Sequence, residues 1–334
     1  MSAIEVDNLK KYYKVFHKEA GLAGSLKSLI KRRYEDVKAV DGINFSINKG
    51  ELVGFIGPNG AGKTTTLKCL SGLLYPTAGE VNVLGYDPKD RKNEFKKQIA
   101  LVMGQKNQLW WDLPAQETFR LNKEIYEVPE KNYKKRLDEL VELLDIKEIL
   151  DVQVRKLSLG QRMKCELVAS LLHQPKVLFL DEPTIGLDVV MQKKIRDFVR
   201  EYNERHNATI ILTSHYMEDV KNLCKRVIMI NKGKIAFDGQ VDKLIKDHAP
   251  YKTLIVIFEN DVKENDLTKI GKVTEFTPHK AVVQVAREEA TEKAAQLLSE
   301  FPVDDLNIDE PRLEDIIREI FENSAWRILE PLQL

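Results

Sequence analysis

The stretch "GPNGAGKTT", Gly57 to Thr65, leaves a chain few folds to choose from. It fits the G-x-x-x-x-G-K-[ST] pattern of a phosphate-binding loop. The run before it, "LVGFIG", reads as a buried strand, and "KTTTLKCLSGLL" after it reads as a helix. A buried strand that feeds a phosphate loop and then a helix calls for a mostly parallel sheet with helices packed on it. The candidate nucleotide site is therefore Gly57, Pro58, Asn59, Gly60, Ala61, Gly62, Lys63, Thr64 and Thr65. Backbone N–H groups from Gly60 to Thr64 can wrap a phosphate. Lys63 brings positive charge to the outer phosphates, and the Thr64 hydroxyl can ligate Mg²⁺.

The rest of the chain suits such a sheet. "INFSI" alternates like a strand, while "VLFL" and "TIILTS" are short apolar strands. "RVIMINKGKIAFDG" is two strands around a Lys232-Gly233 turn. Between Asn107 and His173 the pattern turns helical, and "KNYKKRLDELVELLDI" puts Leu137, Leu140, Val141 and Leu144 on one face. This predicts a helical subdomain inserted into an α/β core.

Further residues answer the phosphate loop. "KVLFLDEP" is a strand ending in two carboxylates. Asp181 at its tip is placed to hold Mg²⁺ through water, and Glu182 can polarise the attacking water. Gln105 in "LVMGQKNQ" follows a strand-like run and can contact Mg²⁺ or the attacking water. His215 in "ILTSHYMED" ends another apolar strand. Alone, such a histidine is more often structural; beside a γ-phosphate it can hydrogen-bond the transferring group. "LSLGQRMK" sets Ser158 and Gly160 just ahead of a helix, a second helix start suited to an anion.

Phosphate loop, Gln105, "LSLGQ", "FLDEP", "GLD" and His215, in that order, resemble the ATP-binding subunits of ABC transporters over residues 1 to about 245. The resemblance implies an α/β fold: a P-loop NTPase domain of the ABC type over residues 1–246, with a mixed sheet core and a helical subdomain at about 106–173. It implies ATP and Mg²⁺ as cofactors. In that family two nucleotide-binding domains meet head to tail around two ATPs, so Ser158, Gly160 and Gln161 would grip the γ-phosphate held by the other copy. Asp188 would touch the opposite subunit. Glu182, His215 and Gln105 would be catalytic, and Thr64, Gln105 and Asp181 would serve the metal. Tyr13 aligns with the aromatic that stacks on adenine, with Tyr12 a close rival. Since every motif is intact, one chain can supply both sites of a homodimer, and the helical subdomain would pass its motion to membrane permease subunits. Trp110 and Trp111 fall where the family docks its membrane partner; core filling is the competing reading. The chain departs from the pattern at Leu159, where glycine is commonest, at Ile185, where serine is usual, and in a long insertion after Tyr13.

After about Lys246 the pattern becomes a small α+β domain, assigned to residues 247–334 as an accessory or regulatory unit. "KTLIVIFE", "VTEF", "AVVQVA" and "VDDLNI" read as strands, "REEATEKAAQLLSEF" and "PRLEDIIREIFE" as helices, with Pro311 at the first helical position. "DLNIDEPRLEDIIREIF" is similar to the closing segment of daunorubicin-resistance-type ATPases, whose partners are ABC-2-type permeases, and so implies export.

Composition narrows the alternatives. Lys+Arg and Asp+Glu are equal at 52 each, which argues against a dedicated nucleic-acid binder. The cysteines, Cys69, Cys165 and Cys224, match no metal spacing and read as buried thiols in a reducing compartment. No apolar run approaches the about 20 residues of a membrane span, and the N-terminus lacks an apolar signal region. The expected location is peripheral, on the cytoplasmic side of the membrane. Residues 14–38 read as a basic amphipathic helix carrying Leu22, Leu26, Leu29 and Ile30 with Lys27, Lys31, Arg32 and Arg33. A solvated surface helix and a contact with a membrane partner or anionic lipid are its two readings. Two other classes compete for the whole: a soluble ABC ATPase acting on ribosomes or DNA, and a P-loop kinase of small molecules. The first usually has paired cassettes or a long coiled coil, and the second gives "LSLGQ" and His215 no role.

Overall fold

The computed structural model describes residues 1–16, 34–248, 250–311 and 313–322. Of the helix expected over residues 14–38, residues 17–33 lie outside them, and the ends, 14–16 and 34–38, are strand instead. The chain divides into two compact units, Met1–Gly239 and Gln240–Leu334.

In the first unit, β1 (Ser2–Phe16), β2 (Tyr34–Asn48) and β4 (Ala78–Val83) form an antiparallel sheet in the order β2-β1-β4. Strands β3 (Leu52–Ile56), β5 (Ile99–Met103), β6 (Val177–Asp181), β7 (Thr209–Thr213), β8 (Arg226–Asn231) and β9 (Lys234–Gln240) form a six-stranded sheet in the order β5-β6-β7-β3-β8-β9. Neighbours from β5 through β8 pair in parallel. Every residue of β3, β6 and β7 is buried, as expected of strands covered on both faces. The end of β2 alternates instead: Ile43, Phe45 and Ile47 are buried while Asn44 and Ser46 face solvent. Lys232 and Gly233 turn β8 into β9 with positive φ.

Helix α1 (Lys63–Leu70) lies in the core between the two sheets. Its Leu67 and Leu70 pack with Ile4 and Leu9 of β1, Phe55 of β3 and Phe179 of β6. The antiparallel sheet thus clamps the helix that carries the phosphate loop.

The helical part contains α2 (Ala115–Ile125), α3 (Glu130–Leu144) and α4 (Leu159–Leu171). Leu140, Val141 and Leu144 of α3 are buried and Leu137 half-buried, with Tyr133 extending the face. Helices α5 (Val189–His206) and α6 (Met217–Leu223) follow β6 and β7. The three cysteines are free and buried. Burial pushes the Cys165 thiol up to about 12, so it stays protonated and unreactive. Among the described residues no helix is long and apolar enough to cross a membrane.

The second unit is an antiparallel sheet of β10 (Tyr251–Phe258), β11 (Lys272–Thr277), β12 (Lys280–Ala286) and β13 (Val303–Asp309), in the order β11-β12-β10-β13. Leu254, Val256 and Phe258 alternate with Ala281, Val283 and Val285 on the buried face, closed by Ala294 and Leu297 of α7 (Ala290–Glu300). Two of the sequence-based expectations shift here. The division falls after Gly239 rather than after residue 246, because the helix Val241–His248 packs against the helix Leu313–Glu322 of the second unit. The last helix begins at Leu313, so Pro311 stands ahead of it instead of opening it. A proline stops the residue before it from being helical, which suits a boundary as well as a first turn.

Candidate nucleotide site

Met103, Asp181 and Thr213 stand side by side in the register of β5, β6 and β7, at the carboxyl ends of parallel strands. That end is where open α/β sheets bind ligands. The phosphate loop leaves β3 at the same edge and turns into α1 through Gly62, whose φ of 112° is left-handed. A Cβ at Gly62 would lie 2.3 Å from the Ala39 carbonyl oxygen, and one at Gly57 would lie 2.1 Å from that of Ile230. Both glycines are required by close backbone approach.

Lys63 is buried and donates from Nζ to the carbonyls of Gly57 at 2.7 Å and Pro58 at 3.1 Å. Burial lowers its pKa, opposed by the charges of Glu182 and Asp181. An ammonium so placed gains when phosphate oxygens arrive. Thr64 Oγ1 donates to Asp181 Oδ2 at 2.8 Å, and Thr213 Oγ1 donates to Asp181 Oδ1 at 2.7 Å. A hydroxyl and a carboxylate in contact are the hard oxygen donors that Mg²⁺ takes alongside nucleotide phosphates, so the pair fits that cation.

Glu182 is buried and sits at φ 56°, an uncommon conformation for a residue with a side chain. Its N–H donates to the Thr213 hydroxyl at 3.0 Å and carbonyl at 3.1 Å, which hold the turn. Gln105 Nε2 donates to Glu182 Oε2 at 3.0 Å, and His215 Nε2 stands 2.6 Å from Glu182 Oε1. Three residues far apart in sequence thus share one carboxylate. Gly104 makes this possible: its N–H donates to the Asp181 carbonyl at 2.8 Å, and a Cβ there would lie 2.0 Å from the Glu182 carbonyl oxygen.

"LSLGQ" lies outside this cluster. Ser158 caps α4 by accepting from Gln161 N–H at 3.2 Å, while Gln161 Oε1 accepts from Ser158 N–H at 2.9 Å. Among the described residues no hydrogen bond joins Ser158, Gly160 or Gln161 to residues 57–65 of the same chain. Gly160 is buried against Met191, whose Cγ would lie 2.8 Å from an added Cβ. Asp188 is exposed and caps α5 by accepting from Met191 N–H at 2.8 Å. The Leu159 side chain lies against Gly186, where a Cβ would be 3.0 Å from its Cδ2.

Tyr12 hydrogen-bonds Asp41 through its hydroxyl, whereas the exposed Tyr13 ring meets only Lys11, 5.3 Å from its centroid, among described ring contacts. Trp110 and Trp111 are 55% and 47% exposed, so neither fills the core. The Arg162 guanidinium stands 5.1 Å from the Trp111 ring centroid.

Sequence reasoning missed several supports. Thr213 bridges Asp181 and Glu182, and an uncharged strand-end threonine carries no signal of that. Asp219 is fully buried, accepting from Thr184 at 2.6 Å, Ser214 at 2.7 Å and Arg196 at 2.8 Å. It thereby joins the loop before Asp188 to the residue before His215. Its acidic neighbour Glu218 in the same helix is exposed, and only helical phase could have separated the two.

A family model described as ABC transporter matches residues 40–185, and one described as EvrA-like ABC transporter, C-terminal domain, matches residues 250–309. The linearmycin resistance ATP-binding protein LnrL of Bacillus subtilis is 32% identical over 316 residues, covering 90% of this chain and 97% of that protein. A daunorubicin resistance ATP-binding protein of Streptomyces coeruleorubidus is 36% identical over 213 residues, covering 64% of this chain and 67% of its own length. Among solved structures, an ATP-binding subunit of an ABC transporter superposes with a TM-score of 0.61 at 25% identity, covering 73% of this chain and 92% of that one.

Proposed function

This chain belongs to the ATP-binding subunits of ABC transporters, and on that premise we propose that it drives an exporter of the ABC-2 type as one half of a homodimer. It binds and hydrolyses ATP. The observation that carries the dimer is the division of labour within one chain. Gln105, Glu182 and His215 converge on one carboxylate beside the phosphate loop, while Ser158 and Gly160 make no hydrogen bond to that loop. A helix start with a serine and a glycine is an anion site in want of an anion, and a second copy's ATP supplies one.

In this reading the γ-phosphate replaces the Gly57 and Pro58 carbonyls as the acceptor for Lys63. Thr64 and Asp181, with Gln105, would hold Mg²⁺, which would supply positive charge against the developing charge of the phosphates. Glu182 takes the proton of the attacking water. Gln105 and His215 hold its two oxygens, which sets the direction of its free lone pairs. Tyr13 stacks on adenine, Ser158, Gly160 and Gln161 close on the partner's γ-phosphate, and Asp188 meets the partner beside its phosphate loop. ATP closes the dimer and hydrolysis opens it.

Export is supported by the likeness to the linearmycin and daunorubicin resistance proteins, the former across both units. Trp110 and Trp111 offer the exposed aromatic surface a permease would cover, on the cytoplasmic face of the membrane. The second unit supports the dimer or regulates it. Purifying the chain from its own cells tests this: a bound integral membrane protein supports the reading, and ribosomes without one contradict it.

A further inference from the structure

Glu166 lies in the middle of α4, the helix whose first turn carries Ser158 and Gly160. It is 5% exposed, and among the described residues no cation pairs with it. Its Oε1 accepts two backbone N–H groups, from Gln108 at 2.5 Å and from Leu109 at 3.1 Å. Those residues continue the loop that begins at Gln105. A second side chain from the helical part, Thr118, accepts from Trp110 N–H at 3.3 Å. The loop is also tied to the strands on both sides of Gln105: Gly104 N–H donates to the Asp181 carbonyl and Lys106 N–H to the Met103 carbonyl, while the Gln108 side chain reaches the Leu101 carbonyl. Gln105 therefore lies in a short loop tied to the strands at Gly104 and Lys106 and to α4 at Gln108 and Leu109.

A buried carboxylate without a cation is costly, and an apolar residue would pack there without that cost. What the carboxylate does is hold two loop N–H groups, of which that of Leu109 is buried and would otherwise lose its partner. We infer that Glu166 is a positioning residue that ties the chain's own Gln105 loop to the helix bearing Ser158, so that engagement of Ser158 by one ATP is transmitted to the site that holds the other. This rests on the two-chain site proposed above. The motion is short and rigid: α4 shifts, Glu166 carries Gln108 and Leu109 with it, and Gln105 moves on Glu182.

The test is a double-mutant cycle in the full chain, with ATP turnover, nucleotide affinity and thermal unfolding read together. Glu166→Met keeps the volume and removes the acceptor; Glu166→Gln keeps an oxygen that can accept both N–H groups; Glu166→Ala is the harsher variant. Glu166→Met is expected to lower kcat by about 10- to 100-fold, as a misplaced catalytic group does, with ATP affinity changed less than about twofold. Glu166→Gln restores kcat. In a Gln105→Ala background Glu166→Met costs less than about twofold more, because both act through the same side chain. Equal losses from Glu166→Met with and without Gln105, or wild-type kcat in Glu166→Met, would overturn the inference. Failure of the two-chain reading shows separately, as wild-type turnover per chain that does not change with protein concentration.

Discussion

His215 Nε2 lies 2.6 Å from Glu182 Oε1, within hydrogen-bond reach of the carboxylate. Gln105 takes the other oxygen. The carboxylate is thus held at both ends before nucleotide arrives, which is the preorganisation a general base needs. Glu182→Gln removes the base and keeps the shape. ATP turnover is expected to fall by about 10²- to 10⁴-fold with ATP affinity nearly unchanged, read by phosphate release and equilibrium binding.

His215→Ala leaves Glu182 with Gln105 alone. Turnover is expected to fall by about tenfold or more through the misdirected carboxylate, while folding is retained because the histidine ring is about one-third exposed. Thermal unfolding and phosphate release separate the two effects. A variant with unchanged turnover would remove His215 from the site.

Asp219→Ala leaves Arg196, 5% exposed, with only the 3.7 Å contact to the exposed Glu218, and leaves the Thr184 and Ser214 hydroxyls without that acceptor. Breaking a buried pair by removing one partner typically costs about 3–5 kcal/mol, so denaturant unfolding should show a loss of that order. Asp219→Asn keeps the acceptor oxygen and should lose less.

Burial raises the Glu166 carboxyl to about 6 from its ordinary 4.5, against the two backbone N–H bonds that lower it. A folded-state pKa above the unfolded value means the fold favours the proton. The contribution is fully present below about pH 4.5 and is lost as pH rises through about 6, amounting to about 2 kcal/mol across that window. Glu166→Gln should therefore match or exceed wild-type stability at pH 7 and lose that advantage toward pH 4.5. Denaturant midpoints of the two proteins at both pH values check the sign.

Much of the fold was legible because its burial is two-sided. The apolar runs "LVGFI" and "TIILT" are the covered strands they read as, and "GPNGAGKT" joins β3 to α1 as its pattern requires. Residues placed by local backbone or at a strand end, such as Lys63, Thr64 and Asp181, were singled out from the sequence, and Thr64 and Asp181 meet in the structure. Glu166 was not, because its partners stand 57 and 58 residues away in the chain. Thr213 was missed for the same reason: only the register of β6 and β7 brings its hydroxyl to Asp181. The boundary after Gly239 depends on a helix-to-helix contact across the second unit, which "KDHAPYK" does not encode. Tyr12 and Tyr13 are adjacent tyrosines, and only pairing with Asp41 tells them apart.

The central claim is that one chain holds half of each ATP site, and Ser158→Arg in a Glu182→Gln background tests it most directly. Bound nucleotide and molecular mass are measured together by sedimentation. Glu182→Gln with ATP is expected to run as a dimer with one nucleotide per chain. Adding Ser158→Arg should return it to a monomer that still binds one nucleotide per chain. A double variant that remains dimeric, or that loses its nucleotide along with the dimer, would contradict the account.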